Sequence, residues 1–133
     1  MSSKPHYITS EDASEFCNRP EIKRFIPAVE TVDIPDDFVC LKNAGCLCIF
    51  HPAMHPGVWM LHLVVDPAQW GKTVKPMKKI LDKFHADYSP KRLIGWVQEE
   101  KKLVLKLSEK LGFSRDGAMP LPDGNLVMIG LAK

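Results

Sequence analysis

The chain has 133 residues, 45% hydrophobic and 26% charged, which is the composition of one folded domain rather than of a disordered chain or of two full domains. Eighteen Lys and Arg against sixteen Asp and Glu leave a formal charge of +2, without the clustered positive charge of a nucleic-acid binder, so no nucleic-acid partner is expected. No apolar run approaches the roughly 20 residues that span a bilayer. The start lacks the basic-then-apolar pattern of a secretory signal, and the four cysteines are too few for a disulfide scaffold. The expectation is a cytoplasmic protein with free thiols and no membrane partner.

In chain order, Ser10 reads as the N-cap of a first helix through Cys17, with Glu11 and Asp12 in the turn where the helix dipole favours acids. Pro20 opens a second short helix through Phe25, and Pro27 stops it. Phe38 to Leu41 and Cys46 to Phe50 read as a hairpin across Lys42-Asn43-Ala44-Gly45. Val58 to Val65 is the strongest strand, apolar almost throughout, as in a strand buried on both faces.

A turn with Trp70, Gly71 and Lys72 then leads into a helix from about Thr73 to Asp87, with Val74, Met77, Leu81 and Phe84 on one face. Leu93 to Val97 is a short strand. Glu99 to Leu111 is a second amphipathic helix, with Leu103, Val104, Leu107 and Leu111 inward and Gly112 as its C-terminal stop. Phe113 to Met119 and Leu126 to Leu131 pair across Pro122-Asp123-Gly124-Asn125. The order of helices and strands describes a mixed domain with one central sheet.

One unit carries a chemical suggestion: a long strand, a glycine-containing turn, and a helix with a polar start. A helix N-terminus offers unpaired N–H groups and partial positive charge to a phosphate, and here Lys72 and Lys75 stand beside it. On the turn alone, an ordinary solvated βα connection is the commoner outcome.

The later segment bears on that choice. Leu107-Ser108-Glu109-Lys110-Leu111-Gly112-Phe113 closely resembles the end of the GNAT N-acetyltransferase family, which typically reads Leu-Tyr-Glu-Lys-Leu-Gly-Phe before a final hairpin. Val58 to Pro67 is similar to that family's fourth strand, Ala68 to Thr73 falls where its pyrophosphate loop does, and Leu93 to Val97 corresponds to its fifth strand. The resemblance covers Val58 to the C-terminus. A strand histidine ahead of Pro-x-x-x-Gly is also similar to small phage-encoded GNAT-like proteins.

The resemblance implies an α/β (α+β) fold: a single GNAT-like domain over residues 1–133, its mostly antiparallel mixed sheet splayed between parallel fourth and fifth strands. It implies acetyl-CoA as co-substrate. The pantetheine and thioester would meet Leu63, Val64 and Val65, with the thioester oxygen held by a strand N–H near Val65. The pyrophosphate would lie on the N–H groups of Trp70, Gly71, Lys72, Thr73, Val74 and Lys75.

The chain departs from the family pattern at several points. Ala68 stands where Gln or Arg is usual, Thr73 replaces the second loop glycine, Lys75 replaces another, and Lys101 stands where Asn is frequent. Ser108 stands where many members have a Tyr that protonates the leaving thiolate, and a Ser hydroxyl is a shorter and poorer acid.

His62 is the candidate base, because an unperturbed pKa near 6.5 suits taking a proton from an amine. It shares a strand face with Met60 and Val64, and a hydrogen-bonded core histidine is the competing reading. Cys40, Cys46, Cys48 and His51 do not make a zinc site: His51 lies on the strand face opposite Cys46 and Cys48, and no Cys-x-x-Cys occurs. His51 and His55 read as loop residues near the substrate side.

Two functions remain open on the sequence. The first is direct acetyl transfer from acetyl-CoA to a small-molecule or protein amine, with His62 and Ser108 as the catalytic pair. The second is a GNAT fold without chemistry, serving as a structural or interaction module, for instance in a phage virion or as an inhibitor of a host protein.

Overall fold

The computed structural model describes residues 4–132. Its elements are β1 (His6–Ile8), α1 (Ser10–Cys17), α2 (Pro20–Lys23), β2 (Val39–Asn43), β3 (Cys46–Pro52), β4 (Val58–Val65), α3 (Val74–Tyr88), β5 (Arg92–Gln98), α4 (Lys102–Lys110), β6 (Ser114–Leu121) and β7 (Gly124–Ala132). All seven strands form one sheet in the order β1-β2-β3-β4-β5-β7-β6. Every pairing is antiparallel except β4 with β5.

Strand alternation divides the core into two layers. Cys46, Cys48 and Phe50 of β3 point to one face, where Met77, Ile80, Leu81 and Phe84 of α3 and Leu105 of α4 cover them. Leu47 and Ile49 point to the other face, under Ala13, Phe16 and Cys17 of α1 and Ile22 of α2. Phe84 is fully buried and its ring meets those of Phe50, Trp59 and Tyr88. Truncating it to Ala would cost about 3–5 kcal/mol.

Several local expectations need correction. The first helix is capped by Thr9, whose side chain accepts from the Asp12 N–H, and Ser10 is its first helical residue. α2 ends at Lys23 rather than Phe25. β1, which carries no apolar alternation to announce it, adds a short edge strand against β2. On α4 the inward face is Leu105 and Ser108, with Val104 and Leu107 partly buried, while Leu103 is 82% exposed. α4 starts at Lys102 rather than Glu99; Val104, Leu107 and Leu111 pack on the core as expected, while Leu103, in the first turn, lies at the edge of that face and projects outward.

β4 is the larger correction. None of its residues is fully buried. It pairs with β3 along its whole length, from Val65 opposite Cys46 to Trp59 opposite Pro52. With β5 it pairs only through Val58, Met60 and the residue between them. Beyond Met60 the two parallel strands part, so the C-terminal half of β4 has a free edge facing β5.

Candidate active site

The backbone of β4 determines what the opening presents. A Cβ placed on Gly95 of β5 would lie 3.5 Å from the Leu61 carbonyl oxygen, so Leu61 turns its backbone groups toward β5. By alternation Leu63 and Val65 do the same. Past Met60 they have no ladder partner on that side. Val64 instead turns toward β3, where it faces Leu47. Two residues, Leu63 and Val65, thus offer free backbone donors and acceptors to an extended ligand, as an unpaired strand edge does.

At the C-terminal end of β4 the chain makes a short 3-10 turn over Pro67–Gln69 and enters α3. The Asp66 side chain accepts from the Ala68 N–H, the Trp70 N–H donates to Pro67 O, and the Lys72 N–H donates to Gln69 O. The donors of Trp70 and Lys72 are therefore spent inside the turn. Gly71, Thr73, Val74 and Lys75 keep theirs, since the first intrahelical bond of α3 is Met77 N–H to Thr73 O.

Gly71 has φ of +85°, the conformation glycine tolerates best, and a Cβ there would meet nothing within 4 Å. Thr73 has φ of −96°, which any residue adopts. This loop needs one glycine, and the replacement of the second costs it no backbone strain. From Asp66 to Asp82 the only charged residues between are Lys72, Lys75, Lys78 and Lys79, so the helix entry is cationic as well as rich in donors.

On the α1/α2 face of β4 stand His62 and, one strand over, His51. Their Nε2 atoms are 3.0 Å apart. His51 Nδ1 is 3.0 Å from Pro52 O, and Phe38 stacks on the His51 ring at 4.5 Å between centroids. His62 is exposed at the surface. Partial desolvation, and secondarily the neighbouring His51, hold its pKa below the usual 6.5, which favours the neutral ring near pH 7. Only His62 of this pair was singled out as a base by the sequence. Its partnership with His51 depends on register: Ile49 faces His62 and His51 faces Met60, which makes the two histidines diagonal neighbours on one face.

Ser108 is buried on α4, and its hydroxyl donates to Val104 O of the same helix at 2.9 Å. Trp70 lies in the loop, 55% exposed, with its ring edge-on to Phe25 at 5.1 Å. The cysteines do not converge: Cys40 packs in the α1/α2 layer and Cys46 and Cys48 in the α3 layer. Burial pushes the Cys17 and Cys46 thiols up to about 11, so neither is a thiolate nucleophile at neutral pH.

Among the described residues no helix is long and apolar enough to cross a membrane. No family model matches the chain, and no curated protein matches its sequence. Solved structures do match it. The aminoglycoside acetyltransferase AAC(6')-Ib in complex with coenzyme A superposes with a TM-score of 0.76 at 18% identity, over 99% of this chain and 95% of that one. A GNAT-family acetyltransferase from Bacillus anthracis gives 0.70 at 13% identity, over 99% and 96%. The ribosomal-protein-S18-alanine N-acetyltransferase from Escherichia coli gives 0.68 at 13%, over 98% and 93%. The fold of this chain is the GNAT acetyltransferase fold, with the parallel, parting β4–β5 pair that the sequence resemblance implied.

Proposed function

We propose that the protein is an acetyl-CoA-dependent N-acetyltransferase that transfers the acetyl group directly to an amine. The observation that carries this reading is the continuity between the free β4 edge at Leu63 and Val65 and the open donors of Gly71, Thr73, Val74 and Lys75 directly after it. Pantetheine carries two amides and would extend the sheet as a short strand along β4. The pyrophosphate would follow onto the loop, where Lys72, Lys75 and Lys78 make no ion pair with a carboxylate among the described residues. AAC(6')-Ib has been solved with coenzyme A in this fold.

The reaction needs few protein groups. His62 takes the proton of the acceptor ammonium or of the attacking amine. The nitrogen forms a bond to the thioester carbon, the Val65 N–H donates to the carbonyl oxygen as charge develops, and the carbon–sulfur bond breaks to release CoA thiolate. Ser108 is the chain's group at the usual acid position. A thiol pKa near 8.5 makes the thiolate a competent leaving group that requires little help. Alignment of the two substrates contributes much of the rate.

The acceptor side is anionic. Between Phe25 and Phe38 the chain has Glu30, Asp33, Asp36 and Asp37 and no Lys or Arg, and Phe38 at its end stacks on His51. This favours a cationic amine acceptor. The kanamycin complex of AAC(6')-Ib has such a polyamine in the same fold. Calorimetric titration with acetyl-CoA and with CoA tests the whole reading. Micromolar affinity is expected, and no binding at millimolar ligand would replace it with a GNAT fold that serves as an interaction module.

A further inference from the structure

The two histidine rings of the site are nearly coplanar, with 18° between planes and 5.1 Å between centroids. The Nε2 atoms are 3.0 Å apart. The 2.1 Å by which the centroid distance exceeds the nitrogen distance is about two ring radii. The rings therefore meet edge to edge, each Nε2 pointing at the other, and do not lie face to face. That is the geometry of an N–H···N hydrogen bond, in which one nitrogen donates and the other accepts.

The second contact of His51 fixes which is which. Pro52 O can only accept, so His51 Nδ1, at 3.0 Å from it, carries a hydrogen. In neutral His51 the Nε2 is then a bare lone pair. It must accept from His62 Nε2–H, and neutral His62 is left with its lone pair on Nδ1. Phe38 stacked on His51 restrains that ring from turning.

The direction of that lone pair follows from the sheet. β3 and β5 flank β4 on opposite sides. With Nε2 of His62 aimed at His51 on β3, the other nitrogen of the ring, which lies roughly across it, faces away from β3. That is the side on which β4 and β5 part beyond Met60. We infer that His51 is a positioning residue: it holds His62 as the Nε2–H tautomer and turns the Nδ1 lone pair toward the β4–β5 opening, where an acceptor amine must give up its proton. The inference rests on the reading of His62 as the base. When His62 takes the proton at Nδ1, its Nε2–H remains bonded to His51, so the new charge gains a partner without any rearrangement. Among the described residues His51 is the one titratable group whose charge acts on His62, and no carboxylate competes for the bond.

Nitrogen-15 NMR of histidine-labelled protein above pH 7.5 tests the tautomers without reference to activity. Protonated Nδ1 on His51 and protonated Nε2 on His62 are expected; the reverse assignment on His62 overturns the inference. Kinetics give the second arm. His51→Leu, which cannot accept, should lower kcat by about tenfold or more with KM for acetyl-CoA little changed, a fraction of the 100-fold or greater effect of a general base. His51→Gln, whose amide oxygen can accept from Nε2–H, should recover most of it. Equal activity of His51→Leu and wild type overturns the positioning role. If His62→Gln itself leaves kcat unchanged, His62 is not the base and the catalytic reading fails, whatever the tautomers are.

Discussion

The guanidinium of Arg92 on β5 crosses directly over Gly130 of β7 to pair with the carboxylate of Asp116 on β6. Asp116 is the extra residue of a bulge between Arg115 and Gly117, which directs its side chain to that partner. A Cβ at Gly130 would overlap both the Asp116 carboxylate and the Arg92 guanidinium. Gly130→Ala should therefore push these two side-chain ends aside and weaken their ion pair, destabilising the protein by up to about 1 kcal/mol, the scale of a partly exposed pair. The cost should shrink in an Arg92→Ala background, because one of the two crowding groups is gone and the Asp116 carboxylate, no longer held in the ion pair, is free to turn aside. Thermal melts of the single and double variants check this; equal costs in both backgrounds would mean the bridge is irrelevant to Gly130.

Much of this architecture could be read from the residues, and the parts that could not have physical reasons. The β4–loop–α3 unit and the order of elements after Val58 were legible because strand, turn and helix each carry their own period and punctuation. β1 was not, since three residues of edge strand hold no periodicity. The exposure of Leu103 is not legible because it shares a helix face with Leu107 and Leu111 but stands in the first turn of α4, where spacing alone does not show that the core ends. The half-burial of β4 was missed for a different reason: an apolar strand looks the same whether its second edge is covered or open, and only the parting of β5 decides it. The His51–His62 contact required the β3–β4 register, which follows from the length of the turn at 53–57 and is not set by either histidine.

The depressed pKa of His62 has a consequence for stability. In the unfolded chain this imidazole titrates near its usual 6.5, whereas in the folded protein it protonates only at lower pH. Between those two values the unfolded state binds more protons, so stability rises with pH across that window and falls as the pH drops through it. His62→Gln removes this contribution. Its denaturation midpoint should change less between pH 7 and pH 5 than that of the wild type. Urea titrations at the two pH values measure it, and identical pH dependence in both proteins would show that His62 is not perturbed.

Ser108 and His62 should respond unequally to removal. The Ser108 hydroxyl is bonded into its own helix at Val104 O, and a thiolate leaves without strong acid assistance. Ser108→Ala is expected to lower kcat by less than about tenfold, while His62→Gln should lower it by about 100-fold or more, the usual share of a general base. Steady-state rates with a saturating amine acceptor decide the order. A larger loss from Ser108→Ala would make the serine the thiolate's proton donor and reverse the ranking.

Gly71 separates charge from strain in the loop. Its φ of +85° disfavours any residue with a Cβ, but the space around it is open. Asn and Asp tolerate positive φ better than other residues and are nearly the same size. Gly71→Asn and Gly71→Asp should therefore lose similar stability, of the order of 1 kcal/mol. They differ in charge. The carboxylate would stand among the free N–H groups of Thr73, Val74 and Lys75, occupying donors that a pyrophosphate needs and repelling it. CoA should bind Gly71→Asp at least tenfold more weakly than Gly71→Asn, a difference of about 1.4 kcal/mol. Calorimetry on both variants, with melting temperatures to confirm matched folding, makes the comparison at constant backbone strain. Equal CoA affinities in the two would move the phosphate site away from this loop, and the β4 edge alone would then have to account for binding.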